Sequence, residues 1–82
     1  MGRIKLPEKL YRMSDITEFV GLSRQMVHNY LLMGLIKEKM RTRGGHRLFG
    51  KEVFAALRKI QSLKKKGWSL SKIAEKFKKE RS

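Results

Sequence analysis

The chain has 82 residues and no cysteine, which limits it to one small domain and excludes both a disulfide framework and a cysteine-held metal site. Lys and Arg number 21 against 7 Asp and Glu, a formal charge of +14. An excess that large on so small a body points to a polyanionic partner, nucleic acid ahead of a membrane surface or an acidic protein. Forty per cent hydrophobic residues excludes a wholly disordered chain.

The N-terminal residues 1–9 read as a basic tail, without the apolar stretch of a signal peptide. The domain proper is expected over residues 10–82. No apolar run approaches the roughly 18 residues that span a bilayer. The expected location is cytoplasmic, on the nucleoid.

The first helix is predicted over residues 15–20. Ser14 is its expected N-cap, and Asp15 faces the positive end of the helix dipole. Ile16, Phe19 and Val20 recur at i, i+3 and i+4, one apolar stripe, and Gly21 ends it. A second helix follows at once. Ser23 is its cap, Leu22 and Val27 form a hydrophobic staple, and Gly34 stops it. Met26, Val27, Tyr30, Leu31 and Met33 are its expected core stripe. Arg24, Gln25, His28 and Asn29 line the opposite face, which carries no carboxylate. Two short helices joined by Gly21-Leu22-Ser23 read as a helix-turn-helix. That polar face has the donors and acceptors that read base edges and phosphates. Leu32 lies towards the same face and fits either a thymine methyl or a partner surface.

After Gly34 the pattern alternates. Ile36, Glu38 and Met40 interleave with Lys37 and Lys39, Gly44-Gly45 turns the chain, and His46 to Phe49 return. This predicts a β-hairpin with Arg41, Arg43, His46 and Arg47 crowded at its tip. A third helix is expected after a Gly50 cap, with Phe49 stapled to Phe54 and with Val53, Ala56, Leu57, Ile60 and Leu63 inward. Lys64 to Lys66 suit its C-terminal dipole, and Gly67 stops it. A fourth helix opens at Ser69, with Trp68 stapled to Ile73; its end, Lys76 to Ser82, is expected to fray.

One stretch admits a different chemistry. Gly45-His-Arg-Leu-Phe-Gly50-Lys51 matches the spacing of a nucleotide-binding P-loop. Glu52 stands where a magnesium-ligating hydroxyl is needed, the intervening residues are bulky, and no buried parallel strand precedes them. The coincidence arises from a hairpin turn lying next to a helix start. His28 and His46 sit among cations with no carboxylate to orient them, which suits neither general-base catalysis nor metal ligation. The expectation is a non-enzyme with no cofactor and no metal.

The element order gives a fold class that is mainly α with a small β-hairpin: a winged helix-turn-helix of four helices plus a two-stranded wing. In order and spacing, "GLSRQMVHNY", "GLI", "GHRLF" and "GWSLSKI" resemble the DNA-binding domain of the MerR family of bacterial transcription regulators, from Leu10 to about Lys78. The resemblance implies that Arg24 and Gln25 reach into the major groove. It puts His28 where the family often has a phosphate-binding arginine, and matches Arg47 to the wing arginine that contacts backbone phosphate. Tyr30 matches the second of a usual tyrosine pair. Asn29 and Leu31 depart from the family's tyrosine and glutamate, and "GGHR" is similar to the excisionase branch. The family's effector-binding domain and long dimerisation helix have no counterpart in these residues. The expected partner is double-stranded DNA, bound by a monomer that gains affinity from a second copy or tandem sites. Ser23, Arg24, Gln25, His28, Asn29, Arg41, Arg43, His46 and Arg47 are the expected contacts. An excisionase-like architectural role and a protein-interaction module built on Leu31, Leu32 and Met33 are the alternatives. RNA binding fits less well, because the aromatics occupy core or staple positions.

Overall fold

The computed structural model describes residues 9–81, so the N-terminal tail lies almost wholly outside the described residues. In chain order the elements are β1 (Tyr11–Arg12), α1 (Met13–Val20), α2 (Arg24–Leu32), β2 (Met40–Arg41), β3 (Arg47–Phe49), α3 (Glu52–Lys65) and α4 (Leu70–Arg81). Four helices and an antiparallel wing are the predicted architecture.

Local chemistry accounts for most of the boundaries. Ser23 Oγ accepts from the Met26 amide at 3.1 Å and caps α2. Ser69 Oγ accepts from the Lys72 amide at 3.2 Å and caps α4 in the same way. The C-terminus of α3 closes with two reverse bonds, Gly67 N to Lys64 O at 2.9 Å and Trp68 N to Leu63 O at 3.1 Å. That pair requires a left-handed residue at the first position past the cap, and Gly67 has φ +91°. The same two bonds close α2, from Gly34 to Leu31 and from Leu35 to Tyr30. Each glycine is thus a stop whose bonds also place the next apolar residue, Leu35 or Trp68, against the core.

Two helix starts differ from expectation. Helix α1 begins at Met13, because the Asp15 carboxylate reaches back and accepts from the Arg12 amide at 2.8 Å. Ser14 therefore lies inside the first turn and is not the cap. Helix α3 is capped at Lys51, with Gly50 one residue outside and buried. Its first turn is tight, with Val53 N bonded to Gly50 O and Phe54 N to Lys51 O, both at 3.1 Å.

The wing also has a third strand that periodicity did not reveal. The sheet order is β1-β3-β2, all antiparallel, with Tyr11 opposite Phe49, Arg12 opposite Leu48, Met40 opposite Leu48 and Arg41 opposite Arg47. The N-terminal dipeptide thereby ties the returning strand to α1.

The core is a single cluster. Ile16, Val27, Phe49, Leu57, Ile60 and Ile73 are fully shielded, Tyr30 nearly so, and Leu35, Ile36, Val53, Leu63 and Phe77 close to it. Fully burying one such side chain contributes about 1.5–3 kcal/mol. Two expected core residues face outward: Phe19 is 75% exposed and Met33 39%. Helix α1 is short, and Ile16 alone is fully buried from it. Phe19 lies at its rim, edge-on to Phe54 at 6.0 Å, while Phe54 itself meets Tyr11 edge-on at 4.8 Å. The far end of α4 is helical through Arg81. Glu80 ties it down, accepting from Lys59 Nζ at 2.6 and 2.8 Å with Lys76 at 3.5 Å.

Candidate nucleic-acid interface

Ser23, Arg24, Gln25 and Asn29 are exposed along one side of α2, and His28 is half-buried beside them. Val27 and Tyr30 on the opposite side are buried, so the core stripe aims the polar face away from the protein. Gln25 Nε2 donates to Asn29 Oδ1 at 3.0 Å. This bond holds the two amides as a pair and leaves the Gln25 carbonyl and the Asn29 NH₂ group to act outward. Arg24 makes no side-chain hydrogen bond or ion pair among the described residues. It stands at the first position of α2, where no acidic residue occupies the first turn and where the helix dipole disfavours a cation. A cation placed against the dipole in the free protein is well placed for an anionic or acceptor-rich ligand. Leu32 continues this face one turn on and is 74% exposed.

The wing is fastened close to the end of this helix. Leu35 and Ile36, immediately after the α2 stop, are buried, which anchors the root of the hairpin. The tip is a three-residue loop, Arg43-Gly44-Gly45, closed by Thr42 N to His46 O at 2.8 Å and Gly45 N to Thr42 O at 3.0 Å. Thr42 Oγ1 also accepts from the His46 amide at 3.1 Å. Gly45 has φ +85°, the left-handed residue that three-residue hairpin loops require. Arg43 and His46 are exposed, and Arg43 has no partner among the described residues.

Arg41 and Arg47 are brought together by register, as direct partners across β2 and β3. Both meet Glu38, a residue not predicted to take part. Arg41 donates to it twice, Nε to Oε2 at 2.7 Å and the terminal NH₂ to Oε1 at 2.9 Å. Arg47 Nε lies 3.6 Å from Oε1. The Arg41 hydrogen bonds, opposed in part by burial and helped by the charge of Arg47, hold the Glu38 carboxyl below its ordinary range. Arg41 is correspondingly held above its own. Glu38 was legible only as one position of an alternating strand, since nothing local shows it folding back onto arginines on two strands.

The stretch with P-loop spacing, Gly45 to Lys51, spans the hairpin return and the cap of α3. Strand β3 within it is antiparallel to both neighbours. It is not the turn that leaves a parallel strand to cradle a phosphate.

Residues 11–80, from β1 into the last turn of α4, match the model of the MerR helix-turn-helix family of regulatory proteins. The chain belongs to the MerR family. Its members are transcription regulators, not enzymes, and the matched region is their DNA-binding helix-turn-helix. Among curated relatives, the nodulation protein NolA of Bradyrhizobium diazoefficiens is 30% identical over 73 residues, 89% of this chain and 31% of that protein. A probable heavy metal-dependent transcriptional regulator of Haemophilus influenzae is 36% identical over 62 residues, 76% of this chain and 48% of the relative. The chain thus spans about a third to a half of the length of these relatives. Among solved structures, a MerR-family transcriptional regulator from Bacillus cereus superposes with a TM-score of 0.74 at 30% identity, covering 82% of this chain and 50% of that one. The N-terminus of MtaN, the Bacillus subtilis multidrug transporter activator, superposes with a TM-score of 0.75 at 28% identity, over 79% of this chain and 61% of that one. Among the described residues, no helix of this MerR domain is long and apolar enough to cross a membrane.

Proposed function

We propose that residues 10–82 form a sequence-specific double-stranded DNA-binding module that acts in bacterial transcription regulation, on the nucleoid in the cytoplasm. The observation that carries this reading is the exposed, carboxylate-free face of α2, with an Arg24 that has no partner among the described residues and a bonded Gln25–Asn29 pair. In the major groove Arg24 takes the two acceptors of a guanine edge, and the amide pair takes an adenine edge or adjacent bases. His28 and the Ser23 end of the helix contact backbone, where amides and side chains set register without reading sequence. The wing, through Arg41, Arg43, His46 and Arg47, lies on neighbouring phosphates or the adjacent minor groove. Leu32, apolar and exposed on the reading face, packs against a thymine methyl.

A single module of this size buries little interface and binds weakly alone. Two copies on paired half-sites, or two adjacent sites, raise the affinity by making the second contact intramolecular. Selection of bound duplexes from a random pool tests the reading directly. A recovered motif of a few base pairs, repeated at a fixed spacing, is the expected result. A pool that stays random after enrichment, at any salt, would refute sequence-specific recognition.

A further inference from the structure

We propose that Arg41 and Arg47 form one seat for a single DNA phosphate, and that Glu38 is its resident occupant, a carboxylate that the phosphate displaces when the wing docks. The proposal rests on the DNA-binding reading and adds a specific anion site to it.

Register puts Arg41 and Arg47 directly opposite each other across β2 and β3. Like charges in that arrangement repel and weaken a hairpin. Glu38 offsets the repulsion from between them, with two hydrogen bonds from Arg41 at 2.7 and 2.9 Å and an ion pair to Arg47 at 3.6 Å. The guanidinium fork that grips two carboxylate oxygens grips two phosphate oxygens equally well. The site is accessible, with the Arg41 side chain 53% exposed, Arg47 33% and Glu38 29%. The group is thus a phosphate seat already shaped around an oxyanion. With Glu38 in place its net charge is +1, from two arginines less one carboxylate; without it the charge is +2. Glu38 therefore sets how strongly, and how salt-dependently, the wing holds any duplex. It does not choose the sequence, because phosphates are the same everywhere.

The test is fluorescence anisotropy of the full chain on a selected and a scrambled duplex across a salt series. Glu38→Gln keeps the shape and removes the charge. It should tighten binding to both duplexes by the same factor, about two- to five-fold, the range of an exposed ion pair. It should also steepen the slope of log affinity against log salt, by at most about 0.9, because the group's net charge rises by one. Glu75→Gln, the same charge change on α4, should do less. In an Arg41→Ala/Arg47→Ala background Glu38→Gln should gain no more than Glu75→Gln does. Equal gains from Glu38→Gln and Glu75→Gln in the parent, or an excess over Glu75→Gln that persists without the arginines, would reduce the effect to net charge and overturn the proposal. A measurement on the unaltered chain is independent of any variant's stability. The Arg41 Nε–Hε signal should move as duplex saturates the protein, and a signal that stays put means Glu38 keeps its partner and the seat is not used. If the unaltered chain binds no duplex, the DNA reading itself fails. If it binds and Glu38→Gln merely matches it, the phosphate seat alone fails.

Discussion

Replacing Arg24 by alanine separates base reading from backbone attraction. In the free protein Arg24 is exposed, without a partner among the described residues, and at the first position of α2. Its removal breaks no hydrogen bond or ion pair among the described residues, takes a cation away from the positive end of the helix dipole and introduces a better helix former. Folding stability should therefore stay within about 0.5 kcal/mol of the parent or rise slightly. Binding should behave differently. A bidentate arginine on guanine is worth about 1–3 kcal/mol of discrimination, or roughly a 5- to 150-fold loss on the preferred duplex at 25 °C. A scrambled duplex never makes that contact and should lose only the small, salt-dependent attraction of one charge. The assay is anisotropy titration of both duplexes at matched salt, with chemical denaturation of the same samples. Arg47→Ala is the contrast: both duplexes should weaken by one factor, and the salt slope should flatten by about 0.9. If Arg24→Ala weakens both duplexes equally, Arg24 contacts phosphate and the assignment of α2 as the reading helix is wrong.

Phe49→Ala empties a fully buried site at the junction of β3 and α3. It should cost about 3–5 kcal/mol, much of the roughly 4–12 kcal/mol expected for a chain of this size, whereas Phe19→Ala, on the surface, should change the urea midpoint little. Ser23→Ala removes the hydroxyl that caps α2 and should cost about 0.5–2 kcal/mol by denaturation. Gly67→Ala meets no steric neighbour but must hold φ +91°, so a loss of about 1–2 kcal/mol is expected from backbone strain alone. Glu38 and Glu80 have carboxyls held below the ordinary value of 4.5 by Arg41 and by Lys59 respectively. A depressed folded pKa stabilises above the unfolded pKa, and that stability disappears as pH falls through the folded value. The urea midpoint should thus be level from about pH 6 to 5 and fall below about 4.5. Replacing both glutamates by glutamine should blunt the fall, and an unchanged acid profile would contradict these pairings.

What was legible in the sequence is what short-range chemistry decides. Ser23 and Ser69 cap, and Gly34 and Gly67 stop, because each acts on backbone groups within four or five residues of itself. The outward face of α2 follows from helical spacing alone, and the wing turn at Gly44-Gly45 from a glycine pair that interrupts an alternating pattern. In order, these features carry the family resemblance that the MerR match bears out. The fold class followed from that same order of helices, turn and hairpin. The start of α1 was misread because two carboxyl or hydroxyl side chains compete for the cap, and Asp15, not Ser14, reaches the Arg12 amide. Strand β1 is two residues long and exists only through pairing with β3, 38 residues along the chain by the Tyr11–Phe49 pair. Periodicity cannot report a partner that distant.

Phe19 and Met33 were misplaced for a related reason. Spacing marks which residues share a face, but only the packed neighbours determine how wide the buried stripe becomes. On α1 that width takes in Ile16 and leaves Phe19 at the rim. The Glu38–Arg41–Arg47 group lies furthest from the reach of sequence. Its three charges come from the approach to β2, from β2 and from β3, and they converge only when the hairpin closes in the register that sets Arg41 against Arg47. The sequence by itself determined that this is a basic, cysteine-free helix-turn-helix with a wing. Tertiary structure decided which of its arginines have no partner among the described residues, as Arg24 and Arg43, and which are already held by a carboxylate, because electrostatic partners are chosen by distance in space.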